Sequence, residues 1–188
     1  MKFKEQEKIE IRFSGTGGQG LVLASIILAE ALMMDGFNII TGESHGIEAR
    51  GGASSAEIIA SKKEIFDLSV TLPDILITLS QQAYEKYGKK IKKDTLVILD
   101  SSLIKSESIS DSEDVHALPL ARLVREELGT TLPTNICFLG ALVAISKIVS
   151  MDNIRKVILN RVPKNSGSIN LKAFELGFSL AEKAKKEN

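Results

Sequence analysis

The stretch KIEIRFSGTGGQG, residues 8–20, decides how this chain folds. Ile9, Ile11 and Phe13 alternate with Glu10, Arg12 and Ser14, the period of a strand with one buried face. The run then meets Gly15, Gly17 and Gly20 at G-x-G-x-x-G spacing and passes into LVLASIILAEALMM, which has no proline. A strand, a glycine turn and a helix from Gly18 to Met34 follow, with Gly36 as the stop signal. Glycines in such a turn let a phosphate approach backbone N–H groups at the positive end of a helix.

Working outward, strands are predicted at Phe37–Thr41, Ser54–Ser61, Pro73–Leu79, Thr95–Leu99 and Val115–Leu118, with a short one at Ile65–Phe66. Helices are predicted from Ser80 to near Gly88, over Leu120–Leu128 closed by Gly129, over Ile136–Val149 capped by Thr134 or Asn135, and over Met151–Asn160 capped by Ser150. A loop at Pro163–Ser168 precedes a final helix from about Asn170 whose tail, AEKAKKEN, frays. Strands alternating with helices give an α/β class: a three-layer α/β/α sandwich on a mostly parallel sheet. The strand SSAEIIAS stands where a crossover helix belongs, so the sheet is expected to be mixed. Residues 1–188 suit one domain.

Composition excludes several functions. Lys+Arg and Asp+Glu balance at 24 each, so no net field draws the chain to nucleic acid or an anionic membrane. Trp is absent and aromatics are 5%, which argues against a base-stacking surface. Cys137 is the sole cysteine, so this chain forms no internal disulfide and no cysteine metal site. The start, MKFKEQEKIE, is charged and reads as no secretory signal, and the apolar run Leu21–Met34 is too short to span a bilayer. A cytoplasmic location is expected.

Two helices are apolar nearly all round. Leu21–Met34 has only Ser25 and Glu30 as polar members, and Ile136–Val149 has Ser146 and Lys147. A helix lying on the sheet of a small monomer should show an outer polar face. Two helices without one point to a partner surface, either another subunit or a second copy of the chain; the alternative is a core with one central helix.

A second glycine stretch, Ser44 to Ser54, follows the second strand and carries His45, Glu48 and Arg50 beside Gly51 and Gly52. A glycine pair lets backbone approach another group closely. Arg50 offers a planar fork for a carboxylate or phosphate, and Glu48 can orient it. The first loop alone reads as a dinucleotide site with Glu43 as the ribose-binding acid. Against that stand the second glycine stretch, the polar Gln19 within the first loop, and the lack of room for a substrate domain.

FSGTGGQGLVLASIILAEA, SHGIEARGGASSAEIIAS and PDILITLSQQAYEKY together resemble the gamma subunit of 2-oxoacid:ferredoxin oxidoreductases, in order and spacing, from Glu10 over nearly the whole chain. HGIEARGGAS resembles the 2-oxoglutarate type more than the pyruvate or 2-ketoisovalerate type. The resemblance implies CoA-dependent oxidative decarboxylation of a 2-oxoacid, with electrons passed through iron–sulfur clusters to ferredoxin. It implies that thiamine diphosphate, Mg, the clusters and coenzyme A are held through other subunits (alpha, beta and a ferredoxin-like delta) and that this chain alone binds no cofactor. Gly15, Gly17, Gly18, Gln19 and Gly20, with Glu48, Arg50, Gly51 and Gly52, then form loops near the substrate or CoA route or at a subunit contact. No residue is assigned a catalytic role. The alternatives are a stand-alone NAD-binding oxidoreductase and a purely structural scaffold subunit.

Smaller features have plainer readings. His116 lacks a second ligand at metal spacing, Cys137 sits among core residues, and Asp100 at a strand end caps the following turn. Tyr84 and Tyr87 share a helix face that covers the sheet or meets a partner.

Overall fold

The computed structural model describes residues 3, 5–44, 52–105 and 112–187. The elements are β1 (Lys8–Thr16), α1 (Leu21–Met34), β2 (Asn38–Ser44), β3 (Ala53–Ser61), β4 (Ile75–Thr78), α2 (Gln81–Tyr87), β5 (Leu96–Asp100), β6 (Asp114–Leu118), α3 (Leu120–Leu128), α4 (Thr134–Ser146), α5 (Met151–Arg161), a 3-10 turn (Lys164–Ser166) and α6 (Gly167–Glu187). One six-stranded sheet runs in the order β2-β3-β1-β4-β5-β6. β1, β4, β5 and β6 are parallel, while β3 runs antiparallel to both β1 and β2. The sheet is mixed because of β3, the strand that takes the place of a crossover helix.

The alternation in β1 sorts its two faces. Ile9, Ile11 and Phe13 enter the main core with Ala56, Ile58 and Ala60 of β3 and with side chains of α1 and α3–α6. The other face carries Leu76, Val97 and Leu99, covered by Ala83, Tyr84 and Tyr87 of α2. Tyr84 and Tyr87 therefore cover the sheet. On the same face Arg12 pairs with Glu57 at 2.8 Å, and its guanidinium lies 5.3 Å from the Tyr87 ring centroid. The Glu57 carboxylate also accepts from Val70 N–H at 3.1 Å, and Arg12 donates to the Val70 carbonyl. This nearly buried ion pair pins the connection between β3 and β4 to the sheet.

The apolarity of α4 has an explanation inside the chain, which corrects the expectation of a partner surface for that helix. α4 is buried on every side, with α6 as its outer cover. The two helices cross closely at glycines. A Cβ at Gly140 would stand 1.9 Å from the Phe174 carbonyl oxygen, and one at Gly177 would stand 1.9 Å from that of Cys137. α4 is thus the central helix of the alternative reading. α1 lies between the sheet and α5, where Glu30 pairs with Arg161, and it exposes Met33 and Met34 at its end.

Other boundaries move for local reasons. Neither Thr134 nor Asn135 caps α4: Thr134 Oγ1 donates to Thr131 O, and Asn135 reaches across to another element. α4 stops at Ser146 because Lys147 adopts a left-handed φ of 52°, and Lys185 Nζ donates to the carbonyls of Ala144 and Ile145 at 2.9 and 2.8 Å. Ile65–Phe66 forms no strand, since β1 and β2 already occupy both edges of β3. α6 begins at Gly167 and continues through the lysine-rich tail to Glu187 rather than fraying. Ser150 caps α5 as predicted, and Ser80, the expected start of its helix, is the N-cap of α2. Asp100 caps as predicted too: its carboxylate accepts from Ser102 N–H at 2.8 Å and from Ala121 N–H, in the first turn of α3, at 2.7 Å.

Candidate functional site

β1 ends at the edge of the sheet where the parallel strands finish, and the chain must turn there from Thr16 into α1. Gly18 and Gly20 take the left-handed region, with φ of 86° and 71°, which glycine adopts without steric cost. Gln19 holds the turn from inside. Its Oε1 accepts from Thr16 N–H at 2.7 Å, and its Nε2 donates to Leu79 O, just past β4, at 3.0 Å. Gln19 is thus a staple between the ends of two parallel strands, not an intruder. It also explains Gly15, where a Cβ would stand 2.3 Å from Gln19 Oε1.

Asn135, in the first turn of α4, donates from Nδ2 to Gly20 O at 3.0 Å, and a Cβ at Gly20 would meet that nitrogen at 2.5 Å. The start of α4 is thereby locked to the start of α1. Gly17 and Gly18 form the exposed tip, and a Cβ at either would meet nothing within 4 Å among the described residues. α1 has no side-chain N-cap and no acidic residue in its first turn. Its leading N–H groups, at the positive end of the helix, can receive an anionic group or a carbonyl oxygen. Below the loop, Ser55, Ser14 and Thr78 lie in register across β3, β1 and β4. Ser14 Oγ donates to Ile77 O at 3.1 Å, whereas the buried hydroxyls of Ser55 and Thr78 have no partner among the described residues.

The dinucleotide reading fails on topology. β3 stands between β1 and β2, and Glu43 pairs in register with Ala56. Glu43 is therefore two strand spacings, about 10 Å, from the strand that carries the glycine loop, not beside it. Of the second glycine stretch, Gly52 is described and buried; His45, Glu48, Arg50 and Gly51 lie outside the described residues. The flanking residues do sit at the glycine edge. Ala53 pairs with Thr16, and Ser44 pairs with Ser55. Sequence reasoning missed Asn135 and Leu79 as members of this edge. A polar residue opening an apolar helix was the only signal for Asn135, and its partner lies 115 positions away.

Elsewhere little is built for chemistry. Burial pushes the Cys137 thiol up to about 12, with the charge of Asp100 adding to the rise and a backbone hydrogen bond from Gly177 opposing it. His116 bonds Asp114 at 3.0 Å. Among the described residues, no three His, Cys, Asp or Glu side chains gather to hold a metal, and no helix is long and apolar enough to cross a membrane. An open groove lined by Leu128, Leu159 and Leu171 runs between α3, α5 and α6, away from the glycine edge and bridged by the Arg155–Glu175 pair.

Residues 10–180 match the family model of pyruvate ferredoxin/flavodoxin oxidoreductase. The chain belongs to that family. Within the oxidoreductase family, it is 40% identical over 175 residues to a 2-oxoglutarate synthase subunit KorC from Methanocaldococcus jannaschii, covering 92% of this chain and 94% of that one. It superposes on the gamma subunit of a keto/oxoacid ferredoxin oxidoreductase from Geobacter sulfurreducens with a TM-score of 0.85 at 36% identity, covering 95% of this chain and 99% of that one. The 2-oxoglutarate:ferredoxin oxidoreductase from Magnetococcus marinus, with 2-oxoglutarate, coenzyme A and succinyl-CoA bound, matches with a TM-score of 0.84 at 25% identity, over 95% of this chain but 32% of that one. The same unit therefore occurs in the oxidoreductase family as a whole chain and as about a third of a longer one. The gamma-subunit resemblance of the three sequence motifs, and its 2-oxoglutarate leaning, agree with these relatives.

Proposed function

We propose that this chain is the gamma-type subunit of a 2-oxoglutarate:ferredoxin oxidoreductase. The complex cleaves 2-oxoglutarate oxidatively, releases carbon dioxide, forms succinyl-CoA and passes the electrons to ferredoxin. The observation that carries this reading is the near full-length match to a 2-oxoglutarate synthase subunit, together with the GTGGQG loop as an exposed, stapled turn. The chain, read as one domain over residues 1–188, supplies geometry to that complex rather than reacting groups.

The site residues proposed are Gly15, Gly17, Gly18, Gln19, Gly20, Glu48, Arg50, Gly51 and Gly52. The exposed tip at Gly17 and Gly18 gives backbone access to the CoA route or to the neighbouring subunit that lines it. Arg50 offers charge to a carboxylate or phosphate, with Glu48 orienting it. Thiamine diphosphate, Mg and the iron–sulfur clusters belong to the alpha, beta and delta subunits. The one thiol here is buried and held protonated, so it does not fit a cluster ligand.

The test is the reconstituted complex, assayed for ferredoxin reduction that needs both CoA and 2-oxoglutarate. Arg50→Ala is expected to lower kcat/KM at least tenfold with assembly intact, about 1.4 kcal/mol at the transition state. Unchanged turnover would instead favour a scaffold role. Turnover by the purified chain alone would overturn the assignment.

A further inference from the structure

Of the eight large apolar side chains that are exposed among the described residues, five lie at the edge opposite the glycine loop: Met33, Met34, Phe66, Leu68 and Leu72. α1 runs back along β1, so Met33 and Met34 come down to the edge where β1 begins. There Asn38 Nδ2 donates to Lys63 O at 3.1 Å, tying the turn after α1 to the connection between β3 and β4. That connection, residues 62–72, exposes Phe66 by 84% and Leu68 by 81%.

The exposure does not come from a loose loop. The connection is fastened at its start by Lys62 N–H to Glu7 O at 2.9 Å, at Asp67 by the Lys8 ammonium, and at Val70 by Arg12 and Glu57. Just beyond it, Asp74 accepts from Glu10 N–H at 2.8 Å and pairs with Lys92 at 2.7 Å. A held strap with its apolar side chains outward presents a surface at low ordering cost. The two faces of the sheet are already covered by this chain's own helices.

We propose that this strap, Phe66 and Leu68 with Leu72, is the docking surface for a second subunit: the polypeptide that corresponds to the remaining two-thirds of the longer Magnetococcus marinus chain. This rests on the proposed function, in which the chain works inside a complex. In that relative the unit is 32% of one polypeptide, so the rest of the chain is a permanent neighbour there. Where the unit is a separate chain, the same neighbour must be held without a covalent link. An apolar centre rimmed by both charge signs, Lys8, Lys62, Glu64 and Asp67, suits such an interface.

The experiment co-expresses the full chain with that subunit from the same source. Phe66→Ser/Leu68→Ser is compared with Leu159→Ser, which removes an exposed leucine on the helical side. The double variant is expected to keep the melting temperature of the isolated chain and to weaken subunit binding at least thirtyfold in titration calorimetry. Leu159→Ser is expected to change binding less than threefold. Equal binding by wild type and the double variant would overturn the strap while leaving the assignment standing. A partner that fails to bind even the wild-type chain would remove the assignment itself. Conversion of the isolated chain from dimer to monomer by the double variant would place a second copy on the strap and also overturn the proposal.

Discussion

Gly177 and Gly17 are the same residue in opposite surroundings. At Gly177 the missing side chain is filled from within, because the backbone of α4 passes so close that a Cβ would overlap the Cys137 carbonyl oxygen. At Gly17 the missing side chain is filled by nothing among the described residues, and the backbone there needs no positive φ. The first glycine serves the fold. Among the described residues nothing requires glycine at the second, which leaves open space beside it. Gly20 and Gly15 fall between, since each makes way for a side chain, Asn135 or Gln19, that fixes the loop.

That contrast can be broken or sharpened. Gly177→Ala is expected to cost about 3 kcal/mol through forced separation of α4 and α6. At this size that lowers the melting temperature by roughly 6–12 °C, seen by circular dichroism; a shift within 1 °C would show that the crossing yields freely. Gly20→Ala comes next, at about 2 kcal/mol, from a left-handed φ and the collision with Asn135. Asn135→Ala in the same background should recover part of that loss in urea denaturation, leaving the φ component.

Cys137 probes the closed crossing by pH. Its thiol is raised in the folded chain from 9.0 to about 12, so the folded state holds a proton that the unfolded state releases. The stabilisation is full below pH 9 and is lost as pH rises from about 9 towards 12. Cys137→Ala should flatten that alkaline decline in Tm, and a thiol reagent at pH 8 should label the wild type only after unfolding. An instantly labelled native chain would contradict the burial.

The loop gives smaller effects. Gly15→Ala is expected to cost about 1 kcal/mol by displacing Gln19, and most of that should vanish beside Gln19→Ala in a double-mutant cycle. Gly17→Ala is expected to change stability by less than about 0.5 kcal/mol. Its consequence should appear in the assembled enzyme, as lower CoA-dependent turnover with unchanged assembly. If both stability and turnover stay put, the open tip contacts nothing.

Much of the fold was legible because its signals are local. The alternation in residues 8–14, the buried runs PDILITL and TLVIL, and the caps at Ser80, Asp100 and Ser150 each act within a few residues of themselves. The glycine turn was legible for the same reason, but the helix expected from Gly18 starts at Leu21, because Gly18 and Gly20 take positive φ and prolong the turn. What misled was the all-round apolarity of α4. Periodicity reports that a helix is covered, not what covers it. Nothing in ICFLGALVAIS says that α6, some thirty residues on, is the cover, or that Gly140 and Gly177 let the two backbones meet.

By itself the sequence determined the element types, the mixed sheet implied by SSAEIIAS, and the family through three motifs in order, because each is written in the spacing of neighbouring residues. Only the tertiary structure decided that β3 separates Glu43 from the glycine loop, that Gln19 and Asn135 brace that loop from inside, and that Phe66 and Leu68 are held outward on a pinned strap. Those outcomes depend on which distant segments become neighbours, and that is settled by packing the whole chain around one sheet.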